Sequence, residues 1–289
     1  MRKLISTILF LAVLAGLIWG LVFTYRFLIA PLFAPPPPPP PPEEKTVIIR
    51  EGATNLDIAN YFEELGLFSA ADFLNLAGSA QSGQTGDQAP DLSVFKERFT
   101  WLSTETQSLE GYLFPDTYRV FASSTPNQII IKMLENFERR LDSDLRAEIT
   151  ASGRTLQEIL ILASIIEKEA PIDYRGGNDE DARLIAGVFK NRLDIGQALQ
   201  ADATLSYIFQ DNKPQHSGEE LTVDSPYNTY KYPGLPPGPI SNPGLLAIKA
   251  AVQPAKTNYY YFLTPTGSRE VIYARSYNEH LQNKYKYLR

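Results

Sequence analysis

The sequence predicts an α+β protein carried on one N-terminal transmembrane helix. Three observations predict it. A charge-free apolar run opens the chain, and an unbroken proline run follows. Beyond them, helix-capping signals alternate with short β-branched and aromatic stretches. The 289 residues, 44% hydrophobic and 21% charged, suffice for one or two domains with a real core.

Leu4 to Tyr25 carries no charge, and about 22 residues suffice to cross a hydrocarbon core of roughly 30 Å. A cleaved signal peptide would have a shorter apolar region ending in small residues at an A-x-A site, and no convincing site follows. Arg2, Lys3 and the terminal amine precede the run, and only Arg26 lies close behind it. The positive-inside rule then places residues 1–3 in the cytoplasm, 4–25 in the plasma membrane and the body on the outer face. Residues 26–45 form a spacer. Within it Pro35 to Pro42 predicts a polyproline II rod of about 25 Å at ~3.1 Å per residue.

Residues 46–92 predict a small β-α unit and a flexible loop. Val47-Ile48-Ile49 reads as a strand and Glu51-Gly52 as a turn. Leu56, Ile58, Ala59, Phe62 and Leu65 then follow helical spacing, and Gly66 closes the helix. Gly78 to Asp91 is polar and turn-rich. Residues 93–289 predict a larger α+β domain. Ser108 to Val120 is aromatic and reads as extended. Thr125, Pro126 and Gln128 open one helix with a capping box, and Thr155 and Glu158 open another. The latter should end before Pro171, near Ala170.

Composition excludes several functions. A net charge of −6 argues against nucleic acid, which wants a basic face. The absence of cysteine removes disulfides, thiol nucleophiles and the usual structural zinc sites. Two histidines, His216 and His280, are too few and too far apart for a histidine-rich centre, so neither metal nor cofactor is expected. His216 falls in a polar loop without an assigned role. His280 belongs to a final helix and reads as structural.

The helix from Thr155 is apolar on every side and must be central, yet it ends in Glu167-Lys168-Glu169. The two glutamates are about 200° apart around the axis. Glu169 shares a face with Leu162, Ile165 and Ile166, and Glu167 lies over Leu160, Ala163 and Ser164. At a helix C-terminus the macrodipole disfavours a carboxylate, and apolar walls raise its pKa further. Such a carboxyl stays protonated near neutrality and can serve as a proton donor. The other reading is a solvated helix end with Lys168 as counter-charge.

Five segments in order, Gly111-Tyr-Leu-Phe-Pro-Asp-Thr-Tyr118, Ala163-Ser-Ile-Ile-Glu-Lys-Glu169, Leu184 to Tyr207, Ser225 to Gly244 and Ala247 to Leu263, resemble the YceG-like family, the MltG endolytic murein transglycosylases. The resemblance covers roughly Leu109 to the C-terminus. It implies a membrane-anchored lyase that cuts peptidoglycan glycan strands internally and leaves 1,6-anhydro-N-acetylmuramyl ends. It also implies termination of strand elongation beside the penicillin-binding proteins. A LysM-like subdomain is implied too, and Thr46 to Ser69 matches part of one.

On this alignment Glu169 is the catalytic acid and then the base. Gln200, Asp202 and the Tyr227-Asn228-Thr229-Tyr230 segment line the substrate groove. Without the resemblance the aromatics of Tyr227 to Tyr232 are more often packing than sugar platforms, Asp202 could equally cap a helix starting near Ala203, and Asn191 and Arg192 could be structural donors or substrate contacts. Two other functions stand beside this one. A hydrolase would use Glu169 with Glu167 or Asp202 and leave a reducing end. A non-catalytic scaffold would bind wall glycan or synthesis enzymes.

Overall fold

The structure, a computed structural model, describes residues 2–30, 42–79, 90–211, 213 and 216–288. Most of the proline run and most of the loop at 78–91 therefore lie outside the described residues. The chain divides into two compact units, Met1–Pro42 and Glu43–Arg289. In the first, α1 (Arg2–Thr24) continues through a π-helical turn, Tyr25–Ile29, giving a 28-residue apolar helix long enough to cross a membrane. None of its residues is buried within the chain.

The second unit mixes helices with two small sheets. The strand β1 (Glu44–Ile48) pairs antiparallel with β2 (Thr117–Phe121), Glu44 opposite Phe121 and Ile48 opposite Thr117. The alternation of β2 points Tyr118 and Val120 into the core. The stretch expected to be extended is so only from Thr117; Leu109 to Asp116 is a run of turns that buries Leu109 to Pro115. Its Gly111 takes φ +86° against Pro239, where an added Cβ would sit 2.5 Å from the proline ring.

Helices α2 (Asn55–Glu64) and α3 (Ala70–Ala77) pack together through Phe62, Phe68 and Phe73. Gly66 ends α2 at φ +67°. The short α4 (Ser93–Arg98) precedes the turns, and α5 (Pro126–Arg140) and α6 (Ser143–Ala151) follow β2. Thr125 with Gln128, and Thr155 with Glu158, form the predicted capping boxes. The second opens α7 (Leu156–Glu169), in which Ile159 to Ile166 are all buried. The amphipathic α8 (Glu180–Asp194) packs on α7. Then come α9 (Asp202–Phe209), α10 (Leu245–Val252) against α7, the hairpin β3 (Tyr261–Leu263) and β4 (Ile272–Ala274), and an exposed α11 (Tyr277–Tyr287) holding His280.

One buried asparagine joins distant segments. The Oδ1 of Asn242 accepts from the N–H groups of Gly111 and Leu113, both at 2.9 Å. Its Nδ2 donates to Ala53 O at 3.0 Å and Asn55 Oδ1 at 3.1 Å. The β1–α2 segment therefore shares one core and one polar junction with the rest of the unit.

Candidate active site

The last turn of α7 projects its two glutamates to different sides. Glu169 Oε1 accepts the N–H of Ala203 at 3.1 Å, in the first turn of α9. The carboxyl thus lies at the negative end of one helix and the positive end of another. Desolvation dominates and raises its pKa to about 7; the Ala203 N–H and the Arg192 charge oppose that rise, and the Asp202 carboxylate adds to it. Glu169 keeps some solvent contact, and its Oε2 accepts no hydrogen bond from the described residues.

Beside it the structure gathers several of the expected groove residues. Asp202 is not the N-cap of α9, which is Ala201; it stands in the first turn and accepts the Tyr230 hydroxyl at 2.8 Å. Tyr230 is partly exposed, and burial with the neighbouring Asp202 charge holds its hydroxyl protonated. Gln200 is exposed at a left-handed φ of 48°, its N–H bonded to Thr229 O at 3.0 Å. That conformation turns the chain into α9 and leaves the Gln200 side chain outward.

Two of the expected residues point inward. Asn228 is fully buried, its Nδ2 donating to Leu221 O and Val223 O and its Oδ1 accepting from Tyr230 N–H. Thr229 is also buried, its Oγ1 accepting from Ala201 N–H at 3.1 Å and pairing with Thr204 Oγ1 at 2.9 Å. Both hold the loop that presents Tyr230. Tyr227 stacks at a tilt on Tyr207, with ring centroids 5.2 Å apart, and its hydroxyl lies against Gly238 of the Pro/Gly loop. That loop docks on α7: Ile240 N–H donates to Ser164 Oγ at 3.0 Å, and Ser241 Oγ to Ser164 O at 3.2 Å.

Glu167 has a different environment. Its Oε2 accepts from the Tyr174 hydroxyl and from Gly244 N–H at 2.9 Å. Burial raises its pKa while those two donors oppose the rise. It faces the Gly52 turn and the N-terminus of α10, beside a cleft of about 300 Å³ that Arg50, Asp116, Arg140 and Tyr174 help to line and that Glu169 does not line.

Of the groups behind the site, Glu110 was not foreseen from the sequence, while Asn191 and Arg192, read there as structural donors or substrate contacts, prove to be structural donors. Arg192 is buried with its guanidinium over the Tyr261 ring at 5.0 Å, donating to Tyr260 O and Leu199 O. It supplies the positive charge nearest Glu169 from α8, and Asn191 beside it spends its amide on Thr257 O and Tyr259 O. Glu110 is 1% exposed and accepts Asn55 N–H at 2.9 Å and the Tyr207 hydroxyl at 3.4 Å; burial raises its pKa to about 8. Tyr207 belongs to α9, so Glu110 supports the helix whose first turn holds Glu169. A lone acid in the Leu-Glu-Gly-Tyr-Leu-Phe stretch was the available signal. Among the described residues, the one group of His, Asp and Glu close enough to hold an ion is Asp211, His216 and Glu220, beyond the far end of α9.

The YceG-like family model matches residues 32–286. The endolytic murein transglycosylase of Bacillus subtilis is 38% identical over 180 residues, covering 62% of this chain and 48% of that protein. The protein of that name from Streptococcus pneumoniae is 36% identical over 180 residues, covering 61% of this chain and 31% of its own length. The chain thus matches at most about half the length of these relatives. A crystal structure of a yceG-like protein from Listeria monocytogenes superposes with a TM-score of 0.70 at 32% identity, over 82% of this chain and 75% of that one.

Proposed function

The chain belongs to the YceG-like family, and from that premise we propose that it is an endolytic lytic transglycosylase acting on peptidoglycan glycan strands. One observation carries the reading: Glu169 is a desolvated carboxyl with a pKa of about 7, one oxygen held by Ala203 N–H and the other accepting no bond from the described residues. Near neutrality about half of such groups carry a proton, which suits a general acid. Protonated Glu169 gives its proton to the glycosidic oxygen as the C1–O bond breaks. The C6 hydroxyl of the same sugar closes on C1, and its proton passes to the Glu169 carboxylate. Nothing is added and no water enters, so the new end is a 1,6-anhydro-N-acetylmuramyl residue. The second carboxylate that activates water in ordinary inverting glycosidases has no task here.

Asp202 and Tyr230, tied to each other, form one wall, and exposed Gln200 offers an amide to the sugar. Tyr227 backs the Pro/Gly loop, while Asn228 and Thr229 set the shape of the wall. The 28-residue apolar helix supports anchoring in the plasma membrane with the body outside, close to nascent strands and their penicillin-binding synthases. Cutting there would terminate elongation and set strand length. The test is the mass of the new ends released by the purified chain from uncrosslinked glycan strands. Anhydro ends, lighter by one water than reducing ends, are expected; reducing ends would assign Asp202 the role of a water-activating base and make the protein a hydrolase.

A further inference from the structure

At the C-terminal end of α9, about 12 Å along the helix from Asp202, Asp211, Lys213 and His216 lie against Ser206 and Glu220. Asp211 N–H donates to Ser206 O at 3.1 Å, and the His216 ring is fully buried beside Ser206. His216 Nε2 lies 3.2 Å from Ser206 Oγ, and that hydroxyl lies 3.5 Å from the Lys213 carbonyl. A hydroxyl has one proton to give. If it goes to the carbonyl, Ser206 accepts from Nε2–H, and Nδ1 carries the lone pair.

This Nδ1 is buried with no hydrogen-bond partner and faces Glu220 Oε2 at 3.6 Å. In that tautomer two acceptors confront each other there. The Asp211 carboxylate completes the group, its Oδ1 3.9 Å from the Nε2 edge of the ring, and the three residues can offer ligand atoms within 4.8 Å of one another. Lys213 Nζ bridges the outer oxygens, 2.6 Å from Glu220 Oε1 and 3.2 Å from Asp211 Oδ2. It neutralises the carboxylates but does not reach the imidazole.

We propose that Asp211, His216 through Nδ1, and Glu220 form a binding site for one divalent transition-metal ion, best matched by zinc. Tetrahedral bonds of about 2.1 Å put ligand atoms about 3.4 Å apart, close to the Nδ1–Oε2 spacing, and one imidazole with two carboxylates leaves a fourth position for water. Ser206 would fix the ring by accepting from the other nitrogen, the usual arrangement around a metal-bound histidine. The ion would displace the Lys213 ammonium and clip the segment to the end of α9. It would be structural, remote from Glu169, and it departs from the absence of metal expected from two scattered histidines.

The test uses the tag-free full chain in detergent, stripped of metal and titrated with zinc chloride against a chromophoric chelator. One zinc per chain is expected. His216→Ala should abolish binding, Ser206→Ala should weaken it about 10–100-fold, and Lys213→Ala should strengthen it by removing the competing cation. Melting without zinc shows that each variant is folded. Equal zinc binding by wild type and folded His216→Ala, no retention against a micromolar chelator, or equal competition by magnesium would each overturn the site. A His216 that takes up a proton but shows no zinc-dependent NMR shift would make the group a shared-proton pair instead.

Discussion

Replacing Glu169 with glutamine removes the transferable proton while retaining the shape and the oxygen that accepts Ala203 N–H. General acid–base transfer contributes about 10²–10⁴-fold, and the proposed mechanism uses one group for both steps, so cleavage should fall by about 10⁴. Stability supplies a second, independent signature. Burial raises the carboxyl from 4.5 to about 7 in the folded chain. A raised folded pKa means that stability is fully present below pH 4.5 and is lost as pH rises through 7. The shift corresponds to about 3 kcal/mol as an upper bound, because Glu169 keeps some solvent contact. The glutamine variant escapes that loss. Its melting temperature should match wild type near pH 4.5 and exceed it by several degrees at pH 8. In the wild type, kcat/KM should fall about tenfold per pH unit above about 7, as the acid form disappears. The assay is release of anhydro-muropeptides by mass spectrometry, with melting curves on the same samples. Glu167→Gln is the comparison, since its carboxyl is already held by Tyr174 and Gly244. An active Glu169→Gln protein, a folded but inactive Glu167→Gln protein, or parallel melting across pH would refute the reasoning.

Asn242→Ala leaves the N–H groups of Gly111 and Leu113 without acceptors, and at about 1–3 kcal/mol per unpaired buried group the melting temperature should drop steeply; a drop under 2 °C would sink its role as a junction. Glu110→Gln should flatten the decline in stability between pH 4.5 and about 8 that a carboxyl raised to about 8 imposes, whereas Glu110→Ala should lower stability at every pH; calorimetry separates the two. A chain beginning at Glu43, which keeps the Ala122 N–H to Glu43 O bond of 2.8 Å, should be soluble and folded, and aggregation would mean that the span reaches further than α1 and its π turn.

Local chemistry was readable in advance and partnership was not. Thr125, Thr155 and Gly66 announce helix ends because caps depend on residues within one turn. The apolar surround of α7 announced a central helix for the same reason. The pairing of β1 with β2 joins residues about 70 apart, and no pattern within either strand names its partner. Asn242 sits in a Ser-Asn-Pro tripeptide that looks like any turn, and only the fold reveals the chain atoms it reaches. At the site, Gln200, Asp202 and Tyr230 could be gathered from motif order, but motif order does not say which way a side chain turns. Asn228 and Thr229 face inward because an irregular loop must satisfy its own backbone. Arg192 stood out in the sequence as a donor, but its acceptors, Tyr260 O and Leu199 O, lie outside its own helix and only the fold names them.

Glu167, Lys168 and Glu169 are consecutive, yet they reach Gly244, Gly52 and Ala203, three places far apart along the chain. Each helical residue advances about 100° and 1.5 Å. Deleting one residue between Thr155 and Glu167 would therefore swing all three side chains by that angle at once. The Gly244 amide would lose its carboxylate and the first turn of α9 would lose its acceptor, while the apolar sequence could still form a helix of almost the same stability. Length in α7 is thus under tighter constraint than identity. Its interior should accept exchanges among Leu, Ile and Val but no insertion or deletion, because the phase of the helix brings Glu169 to the first turn of α9.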